Sequence, residues 1–500
     1  MSENTLDNEE FDIVVLGTGL VESIIASELA AADKKVLHID RNPYYGGNSA
    51  CFTFSAFVEW ALEHRDERQT PLVDIFIGSI NTDSPTFSVR RVGELKQEAV
   101  VPSSAEGSSH ASRLLDRLSA YSADTPTLPE RSITTEQLAR LLENDRKYAI
   151  ELAPKVAYCR GELIDLVINA GIGEYVQFKG VEHNYIIRND TVERVPDSKG
   201  DIFASDSLSL VEKRKLMKLM TAITDDEDIT QLLDDCADMD FVQFLETRFK
   251  LAGKLLDSVV YAVARAESRD ELSARAGCER VQKYVKSIGR YGRMAYLCAM
   301  YGGGSEIAQS FCRLCAVSGG TYILSEDVRS IQRRDGDNEG YSVQLAHGTV
   351  YTKHVVLDPC YAPDSLPAAS AISRAICILD HPVFGEDTTA ILSYVADTRI
   401  VSMLYTTQAT LAAPTGQSVV YAWTVGRLTD SRALLLHALT TVVGSLARPL
   451  FTALFEARDM QPSENGVPGL VYTASPDSTL DFDSTVGQAQ QVVSKLLSKQ

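Results

Sequence analysis

The first forty residues combine two short apolar runs with a helical pattern of apolar positions between them. Phe11–Leu16 is a mostly apolar run, interrupted only by Asp12, as expected for a buried β-strand, and Lys35–Ile39 is a second, shorter strand candidate. Between them, the tight turn Gly17-Thr18-Gly19 leads into a helix that begins at Leu20. In such a unit the glycines let the backbone approach a pyrophosphate, and the helix N-terminus holds the anion. The pattern therefore predicts an α/β protein that begins with a Rossmann-like domain of the FAD/NAD(P)-binding type.

One position departs from the dinucleotide-binding pattern. The third glycine of G-x-G-x-x-G belongs at position 22, where the missing side chain allows close helix–strand packing, and here it is Glu22. Gly17 and Gly19 are present, and Asp40 follows the second strand where a ribose-binding acid normally lies. A carboxylate at position 22 adds bulk and negative charge where a diphosphate needs space and positive potential. We therefore predict a degenerate site in a fold that has lost its cofactor; the alternative is a variant that still binds one.

Beyond residue 170 the pattern changes twice. Residues 176–195 alternate as in a β-sheet, and from Ser209 to about Arg290 the pattern is almost purely helical. Apolar runs then return. We expect them to be strands that rejoin the first sheet: Tyr351–Leu357, Ala375–Leu379, Ile391–Val395 and Val419–Thr424. A last helix is predicted over Val486–Lys499, so the layout is a sheet domain with an inserted helical domain.

These changes divide the chain into four predicted segments, of which the first carries a serine-containing insertion at 61–131. Residues 1–131 are the first part of the sheet domain, and residues 132–200 are a transition that contains sheet. Residues 201–280 are the helical domain, and residues 281–500 are the second part of the sheet domain with the last helix. Thr134 and Gln137 have the spacing of a capping box, which predicts a helix start in the second segment.

Two helices of the inserted domain are unusually apolar. One places several apolar residues on a single face behind a charged run, and the stretch 255–263 has almost no polar side. Such residues either form the core of the domain or line an apolar groove. The groove candidates are Leu216, Leu219, Met220, Leu256, Val259, Val260 and Val263.

Composition narrows the class of protein. Five hundred residues with 45% hydrophobic content suit two to four domains with substantial cores. A net charge of −20 argues against nucleic acid, and against an anionic membrane surface, as the principal partner. The first residues are acidic and polar, unlike a signal peptide, and the nine cysteines suit reduced thiols. We therefore expect a cytoplasmic protein.

The sequence contains little that suggests catalysis or a metal. HExxH, G-x-S-x-G and P-loop motifs are missing. Cys312 and Cys315 form a single CxxC, which we interpret as buried core thiols rather than a zinc site. His38 and Asp40 lie on one side of a strand, and we interpret them as structural because no third group completes an acid–base set. We expect no catalytic residue and no metal.

Two long segments carry a family resemblance. GTGLVESIIASELAAADKKVLHIDRNPYYGGNSA, which includes Glu22, resembles the opening of the superfamily of Rab escort proteins and Rab GDP-dissociation inhibitors (GDI). Ser287–Leu324 is similar to another strong segment of that superfamily, and YCRGELIDLVINAGIGEYVQFKGVE and VPDSKGDIFASDSLSLVEKRKLMKLM match between them. The form of the middle block, FCRLCAV and the insertion at 61–131 are most like a fungal-type Rab escort protein, component A of Rab geranylgeranyltransferase.

The resemblance implies a fold, a task and a set of partners. The fold is a Rossmann-like domain of the GDI type with an inserted α-helical domain and no cofactor. The task is to bind newly made GDP-bound Rab GTPases, present them to the Rab geranylgeranyltransferase heterodimer, and deliver the prenylated Rab to membranes through transient contact. The geranylgeranyl lipid would then lie between helices of the inserted domain, where the groove candidates become lipid-pocket candidates.

The resemblance also transfers individual residues. The second tyrosine of NPYYGG, the arginine of RYG and the residue before YG-x-G belong to the family's Rab-binding platform; here they are Tyr45, Arg290 and Met300. Lys286 stands where the family usually has glutamine, one turn before that arginine. Leu219 stands where escort proteins usually have the phenylalanine that contacts the transferase, so Leu219 is also the candidate transferase contact.

Two other functions stay open from the residues. Leu219 in place of an aromatic residue favours a Rab GDP-dissociation inhibitor, which extracts and recycles prenylated Rab. The glycine turn alone is also consistent with a flavin-dependent oxidoreductase. The basic positions Lys283, Lys286 and Arg290 share one helix side, and without the resemblance such a stripe is most often simply solvated.

Overall fold

The computed structural model describes a series of ranges between residues 6 and 498. They are residues 6–66, 73–76, 114, 140–196, 199–205, 208–234, 236, 238–269, 272–334, 339–361, 370–396, 399–444, 446–462 and 468–498. The predicted capping box at Thr134 and most of the 61–131 insertion lie outside these ranges. No helix in the described part of the chain is both long and apolar enough to cross a membrane.

Strands and helices alternate at the start of the chain, and most helices of its middle follow one another directly. The strands are β1 Glu10–Leu16, β2 Val36–Ile39, β3 Cys51–Phe52, β4 Val73–Phe76, β5 Ile150–Glu151, β6 Ala157–Tyr158, β7 Phe178–Gly180, β8 His183–Arg188, β9 Thr191–Arg194, β10 Tyr296–Ala299, β11 Thr321–Ile323, β12 Val328–Arg334, β13 Gly340–Leu345, β14 Gly348–Leu357, β15 Ser370–Leu379, β16 Ala390–Val395, β17 Ile400–Thr407, β18 Ser418–Val425, β19 Pro449–Asp459 and β20 Leu470–Tyr472. The helices are α1 Leu20–Ala31, α2 Phe54–Asp66, α3 Glu162–Asn169, α4 Lys199–Ala204, α5 Leu210–Thr224, α6 Asp226–Leu233, α7 Phe241–Arg248, α8 Gly253–Asp257, α9 Ala274–Ser287, α10 Gly303–Val317, α11 Leu428–Val443 and α12 Asp483–Ser498.

The first sheet has the predicted Rossmann-like core. Its strand order is β11-β2-β1-β14-β13-β12, with β20 beside β14, and β1 runs parallel to both β2 and β14. Val14, Val15 and Leu16 are fully buried. Val15 packs against α1, α10 and α12 on one face of the sheet, whereas Val14 and Leu16 pack on the other face in a cluster with residues of β13 and β14. The prediction from Phe11–Leu16 and Lys35–Ile39 is therefore confirmed.

A second, eight-stranded sheet corrects the prediction for the later strands. Its order is β4-β19-β15-β18-β17-β16-β8-β9. The run Tyr351–Leu357 does rejoin the first sheet, as part of β14, but the three other predicted strands belong to the second sheet: Ala375–Leu379, Ile391–Val395 and Val419–Thr424. Their apolar pattern indicates burial on both faces, and this property does not identify the neighbouring strand.

The predicted helical insertion is confirmed between β9 and β10. Helices α4 to α9 share a core of their own, and α5 begins at a capping box in which Ser209 and Glu212 satisfy each other's backbone amides. The helix expected over 255–263 differs in form. It consists of α8 followed by a π-helical turn, Ser258–Val263, in which the Ala264 amide donates to the Val259 carbonyl at 2.8 Å. The turn docks on the second sheet, because the Asn184 side chain donates to the Ala262 carbonyl at 2.9 Å.

Candidate functional site

The glycine turn after β1 has the conformation that the sequence predicts. Gly17 has φ of +104°, a region that favours glycine, and Gly19 is the residue before α1. The Thr18 amide and hydroxyl donate to Asp40 Oδ2 at 2.7 and 2.6 Å. The Asn42 amide donates to the other oxygen of the same carboxylate at 2.8 Å. Asp40 is 1% exposed, so the acid that would bind a ribose instead holds the turn and the loop after β2 together.

Two carboxyl groups occupy the space above this turn. A Cβ atom added to Gly19 would overlap Glu22 Oε2, and one added to Gly17 would overlap the Asp358 side chain, which follows β14. Thr473 donates its hydroxyl to Glu22 Oε1 and thereby fixes the side chain in place. Glu22 and Asp358 are 2% and 4% exposed. The protein's own side chains therefore fill the place where a pyrophosphate would approach the helix.

The obstruction at Glu22 is mainly one of volume. Burial, together with the nearby Asp358 carboxyl, raises the pKa of Glu22 to about 8, so that the neutral acid predominates at neutral pH. The negative charge expected from the sequence is thus largely absent. The remaining cavity at the turn is about 160 Å³, which is below the usual 300–1,000 Å³ of small-molecule sites. These residues do not fit a dinucleotide.

The other candidate polar groups of this region are buried. His38 Nε2 lies 2.6 Å from the Gly17 carbonyl oxygen, and burial lowers the pKa of the ring. Cys312 and Cys315 lie buried on α10, where burial raises the pKa of both thiols. The two thiols are buried, as the sequence predicts, and the structural role of His38 and Asp40 stays a prediction. Among the described residues, no group of three or more His, Cys, Asp and Glu side chains is arranged to hold a metal ion.

Tyr45 and Met300 lie near the N-terminal end of α10. The Tyr45 carbonyl accepts a hydrogen bond from Ser305 at 3.0 Å, and its hydroxyl bonds that of Tyr322. Met300 follows β10, and its amide donates to the Gln177 carbonyl at 2.9 Å. The structure therefore brings together two predicted platform residues that are 255 positions apart in the sequence.

Lys286 and Arg290 lie at the other end of β10, whose four residues span about 13 Å. Arg290 Nη1 donates to Asp165 at 2.8 Å and to the Cys159 carbonyl at 2.9 Å. The Lys286 carbonyl accepts from Arg160 Nε at 2.8 Å. The Arg290 side chain is thus held against α3 and the loop before it, at the end of β10 opposite to Met300.

The sequence interpretation missed the surroundings of Arg290. Asp165 on α3 is its ion-pair partner, and Ile168 and Tyr291 beside it are 53% and 51% exposed. Together with other apolar residues they line a groove of about 310 Å³. Ile168 offered a signal, because it lies outside the buried face of α3 that Leu163 and Val167 form. Exposed apolar patches of this kind mark interaction surfaces.

The largest cavity described here lies in the helical domain. It has a volume of about 710 Å³, which suits a small-molecule ligand, and it opens between α5, α8, α9 and the hairpin β8–β9. Its apolar lining includes Leu216, Leu219, Met220, Leu255, Val259, Val263, Val281, Tyr284 and Val285. One edge is polar, because Arg188 pairs with Glu193 at 3.0 Å and Lys254 pairs with the same carboxylate at 2.6 Å.

Most of the groove candidates line this cavity, and two do not. Leu256 and Val260 are each 2% exposed and pack in the core of the helical domain, because they lie on the opposite side of the α8 segment. Leu219 lines the cavity and is 1% exposed. A docked transferase cannot reach Leu219 in this arrangement, so its predicted role as a surface contact does not fit its position.

Curated relatives fall into two groups. The Drosophila melanogaster protein named Rab proteins geranylgeranyltransferase component A is 27% identical over 502 residues, which cover 98% of this chain and 88% of that protein. The Saccharomyces cerevisiae Rab GDP-dissociation inhibitor is 29% identical over 393 residues, which cover 77% of this chain and 71% of that protein.

Solved structures share the fold. Rab GDI from Plasmodium falciparum superimposes with a TM-score of 0.68 at 18% identity, over 99% of both chains. An oxidoreductase from Methanosarcina mazei superimposes with a TM-score of 0.53 at 11% identity, over 96% of this chain and 99% of that one. The fold is therefore the GDI fold, which is related to that of Rossmann-like oxidoreductases.

The sequence also matches a protein family directly. The family described as GDI, GDP dissociation inhibitor, matches residues 7–72 and 115–402. This match includes the glycine turn, the proposed platform residues and the whole helical domain. Because it spans well over half of the chain, the protein belongs to the GDP dissociation inhibitor family.

Proposed function

We propose that the protein is a Rab escort protein, the accessory component A of Rab geranylgeranyltransferase. It binds newly synthesised, GDP-bound Rab GTPases, presents them to the transferase heterodimer and delivers the prenylated Rab to a membrane. It performs no catalysis itself. It works in the cytoplasm and associates with membranes transiently.

The observation that carries this proposal is the extent of similarity. The fly component A matches 98% of this chain, and the human component A 1 matches 97%. The yeast Rab GDP-dissociation inhibitor matches 77%. Slightly higher identity over a shorter region does not outweigh similarity along nearly the whole chain.

The cavity of the helical domain supports the lipid-binding part of the proposal. An isoprenoid gains about 0.8 kcal/mol for each methylene that it buries. The apolar wall formed by Leu216, Met220, Val259 and Val263 supplies such an environment, and a bilayer offers the same gain. A lipid held in this way is retained in water and released at a membrane.

The two ends of β10 support the Rab-binding part. The proposed platform comprises Tyr45 and Met300 at one end, and Lys286 and Arg290 at the other. Aromatic and arginine side chains of this kind dominate the energetics of many interfaces. The two ends lie about 13 Å apart along β10, so both fit within one standard protein–protein interface, which buries about 800 Å² on each partner and is roughly 30 Å across.

A prenylation assay tests the proposal. Purified transferase, unmodified GDP-bound Rab and labelled geranylgeranyl diphosphate are incubated with and without this protein. We expect lipid transfer to Rab only when the protein is present. If this protein extracts prenylated Rab from liposomes but supports no lipid transfer, the proposal is contradicted. The protein is then a GDP-dissociation inhibitor.

The second candidate, a Rab GDP-dissociation inhibitor, is favoured by one observation. Leu219 replaces the expected aromatic residue and is buried, so the best sequence candidate for a transferase contact is missing from the surface. A flavin oxidoreductase is disfavoured by the carboxyl groups of Glu22 and Asp358 above the glycine turn. An absorbance spectrum of the purified protein tests this point, because stoichiometric flavin would contradict our proposal that no cofactor binds.

A further inference from the structure

A second large cavity lies where the helical domain meets the eight-stranded sheet. It has a volume of about 410 Å³ and is bounded by the end of the π-helical turn, α9, strands β17 and β18, and the segment 478–481. It is separate from the apolar cavity, and neither the glycine turn nor the platform residues line it. Its volume suits a small-molecule ligand.

The lining of this basic cavity has a surplus of positive charge. Among the described residues, four basic and two acidic side chains line it: Arg265, Arg280, Lys283 and Arg399, with Glu267 and Asp481. This surplus occurs in a protein whose net charge is −20. Lys283 already pairs with Asp483, which lies outside the lining, so the remaining surplus is smaller and suits an anion. A phosphate monoester carries a charge of about −1.5 to −2 at neutral pH.

Within the described part of the chain, two of the arginines hydrogen bond to neutral groups. Arg265 donates to the Ser393 hydroxyl at 2.6 Å and to the Asn184 side-chain oxygen at 3.0 Å, and its Nε is buried without a partner. Arg399 donates to the Ser431 hydroxyl at 3.1 Å and to the Asp430 carbonyl at 3.3 Å. Both arginines are half-buried, and a partly desolvated charge is stabilised by a nearby opposite charge. Both guanidinium groups therefore keep a positive potential that an anion would satisfy.

The backbone at Arg265 is unusual and directs its side chain. Arg265 has φ of +54°, a left-handed conformation that non-glycine residues seldom adopt, and it follows the π-helical turn closely. Strained residues and π-helical turns concentrate at functional sites. Here the turn carries the guanidinium from the helical domain to β8 and β16 of the sheet.

Aromatic side chains form the other wall. Trp423 and Tyr158 line the cavity and are 2% and 4% exposed, and the Trp423 indole donates to the Ser478 carbonyl at 2.7 Å. The Lys283 ammonium lies 5.2 Å from the centre of the Tyr158 ring. The cavity thus combines basic groups with flat apolar surface.

We propose that the basic cavity is a binding site for a small soluble organic phosphate, with the phosphate between Arg265 and Arg399 and the organic part against Trp423. Arginine suits phosphate because its planar fork donates two parallel hydrogen bonds. Such a ligand bridges the helical domain and the eight-stranded sheet. The proposal is independent of the proposed Rab function.

Phenyl phosphate is a suitable probe for the full-length protein. The chain has two tryptophans, so the variant Trp60→Phe leaves Trp423 as the only indole and makes its fluorescence report on the cavity. We expect saturable changes in fluorescence and saturable heat in calorimetry with phenyl phosphate. Inorganic phosphate should bind at least tenfold more weakly, and phenol should not bind.

Three further variants test the residues. Arg265→Gln and Arg399→Gln should each raise the dissociation constant for phenyl phosphate at least tenfold. Arg269→Gln is the matched control, since Arg269 is 51% exposed, pairs with Glu246 outside the cavity and should leave binding unchanged. Thermal unfolding shows whether each variant is folded. If Arg265→Gln does not fold, the dissociation constant of Arg399→Gln alone tests the proposal. No binding of phenyl phosphate, equal binding of phenol, or equal losses in the control would overturn the proposal.

Discussion

The glycine turn and the apolar cavity differ in how much space they leave for a ligand. At the turn, the space where a dinucleotide-binding fold holds a pyrophosphate is filled by Glu22 and Asp358, and about 160 Å³ remains. In the helical domain, an apolar space of about 710 Å³ is left open between helices that are otherwise well packed. The comparison shows that the protein fills a polar space in its sheet domain and leaves an apolar space open in its helical domain.

The largest expected effect concerns the closed site. The unfolded chain loses the Glu22 proton near pH 4.5, whereas the folded protein keeps it until about pH 8, so the free energy of unfolding falls as pH rises between these values. At 1.36 kcal/mol per pH unit, this loss reaches about 3 kcal/mol at pH 7. Glu22→Gln keeps the shape and removes the titration, so it should raise stability at pH 7 by about that amount. The gain should fade toward pH 4.5 in urea unfolding; a gain that does not depend on pH would contradict the shifted pKa.

The next effect concerns the open site. Val259→Asn places a polar group in the apolar wall and should weaken binding of prenylated Rab by about 2 kcal/mol, roughly thirtyfold, because the loss is one of apolar burial. Unmodified Rab, which has no lipid, should bind as before. Val317→Asn is the matched control, since Val317 is 77% exposed on α10. Circular dichroism shows whether the variant is folded. If the folded variant loses equal affinity for both forms of Rab, Val259 contributes only to the core of the domain.

A smaller effect tests how tightly the closed site is filled. Gly19→Ala places a methyl group against the Glu22 carboxyl and should cost about 1–2 kcal/mol of stability, the usual range for overpacking. In a Glu22→Ala background the same change should cost much less. A double-mutant cycle from thermal unfolding measures the difference. Additive losses would mean that Glu22 does not occupy the space above Gly19.

The smallest effect concerns the platform, which should contribute equally to the binding of prenylated and unmodified Rab. Arg290→Ala should weaken the binding of both forms of Rab by about 1 kcal/mol, because Arg290 is already paired with Asp165 and partly solvated. Arg293→Ala, an exposed neighbour on the same loop, is the control. Surface plasmon resonance with modified and unmodified Rab gives both affinities. If the variant loses affinity only for prenylated Rab, Arg290 does not belong to the surface that binds the Rab protein.

What the sequence predicted well was local. The apolar run Phe11–Leu16, the turn Gly17-Thr18-Gly19 and the substitution at Glu22 lie within a dozen residues, so their geometry follows from neighbours in the chain. The capping box at Ser209 likewise sets a helix start from residues three positions apart. Periodicity also separated the helical domain from the two sheet regions.

What it missed depends on residues that are distant in the chain. Ile391–Val395 is a strand as expected, but its parallel partner is β8, some 200 positions earlier, and no pattern within the strand identifies that partner. The pair of Arg290 and Asp165 spans 125 positions. Val259 and Val260 are adjacent and chemically identical, and yet only the first lines the apolar cavity. Successive residues of a helical turn point in different directions, and which of the two faces a cavity depends on how the turn packs against distant elements.

The π-helical turn also forms a partition between the two large cavities. Val259 and Val263 face the apolar cavity, whereas Tyr261 and the nearby Arg265 face the basic one. A displacement that widens one space must therefore move the wall of the other. If each cavity holds its ligand, the two binding equilibria are linked, and thermodynamics requires the linkage to be reciprocal. A soluble phosphate would then alter lipid affinity by the same factor by which the lipid alters phosphate affinity.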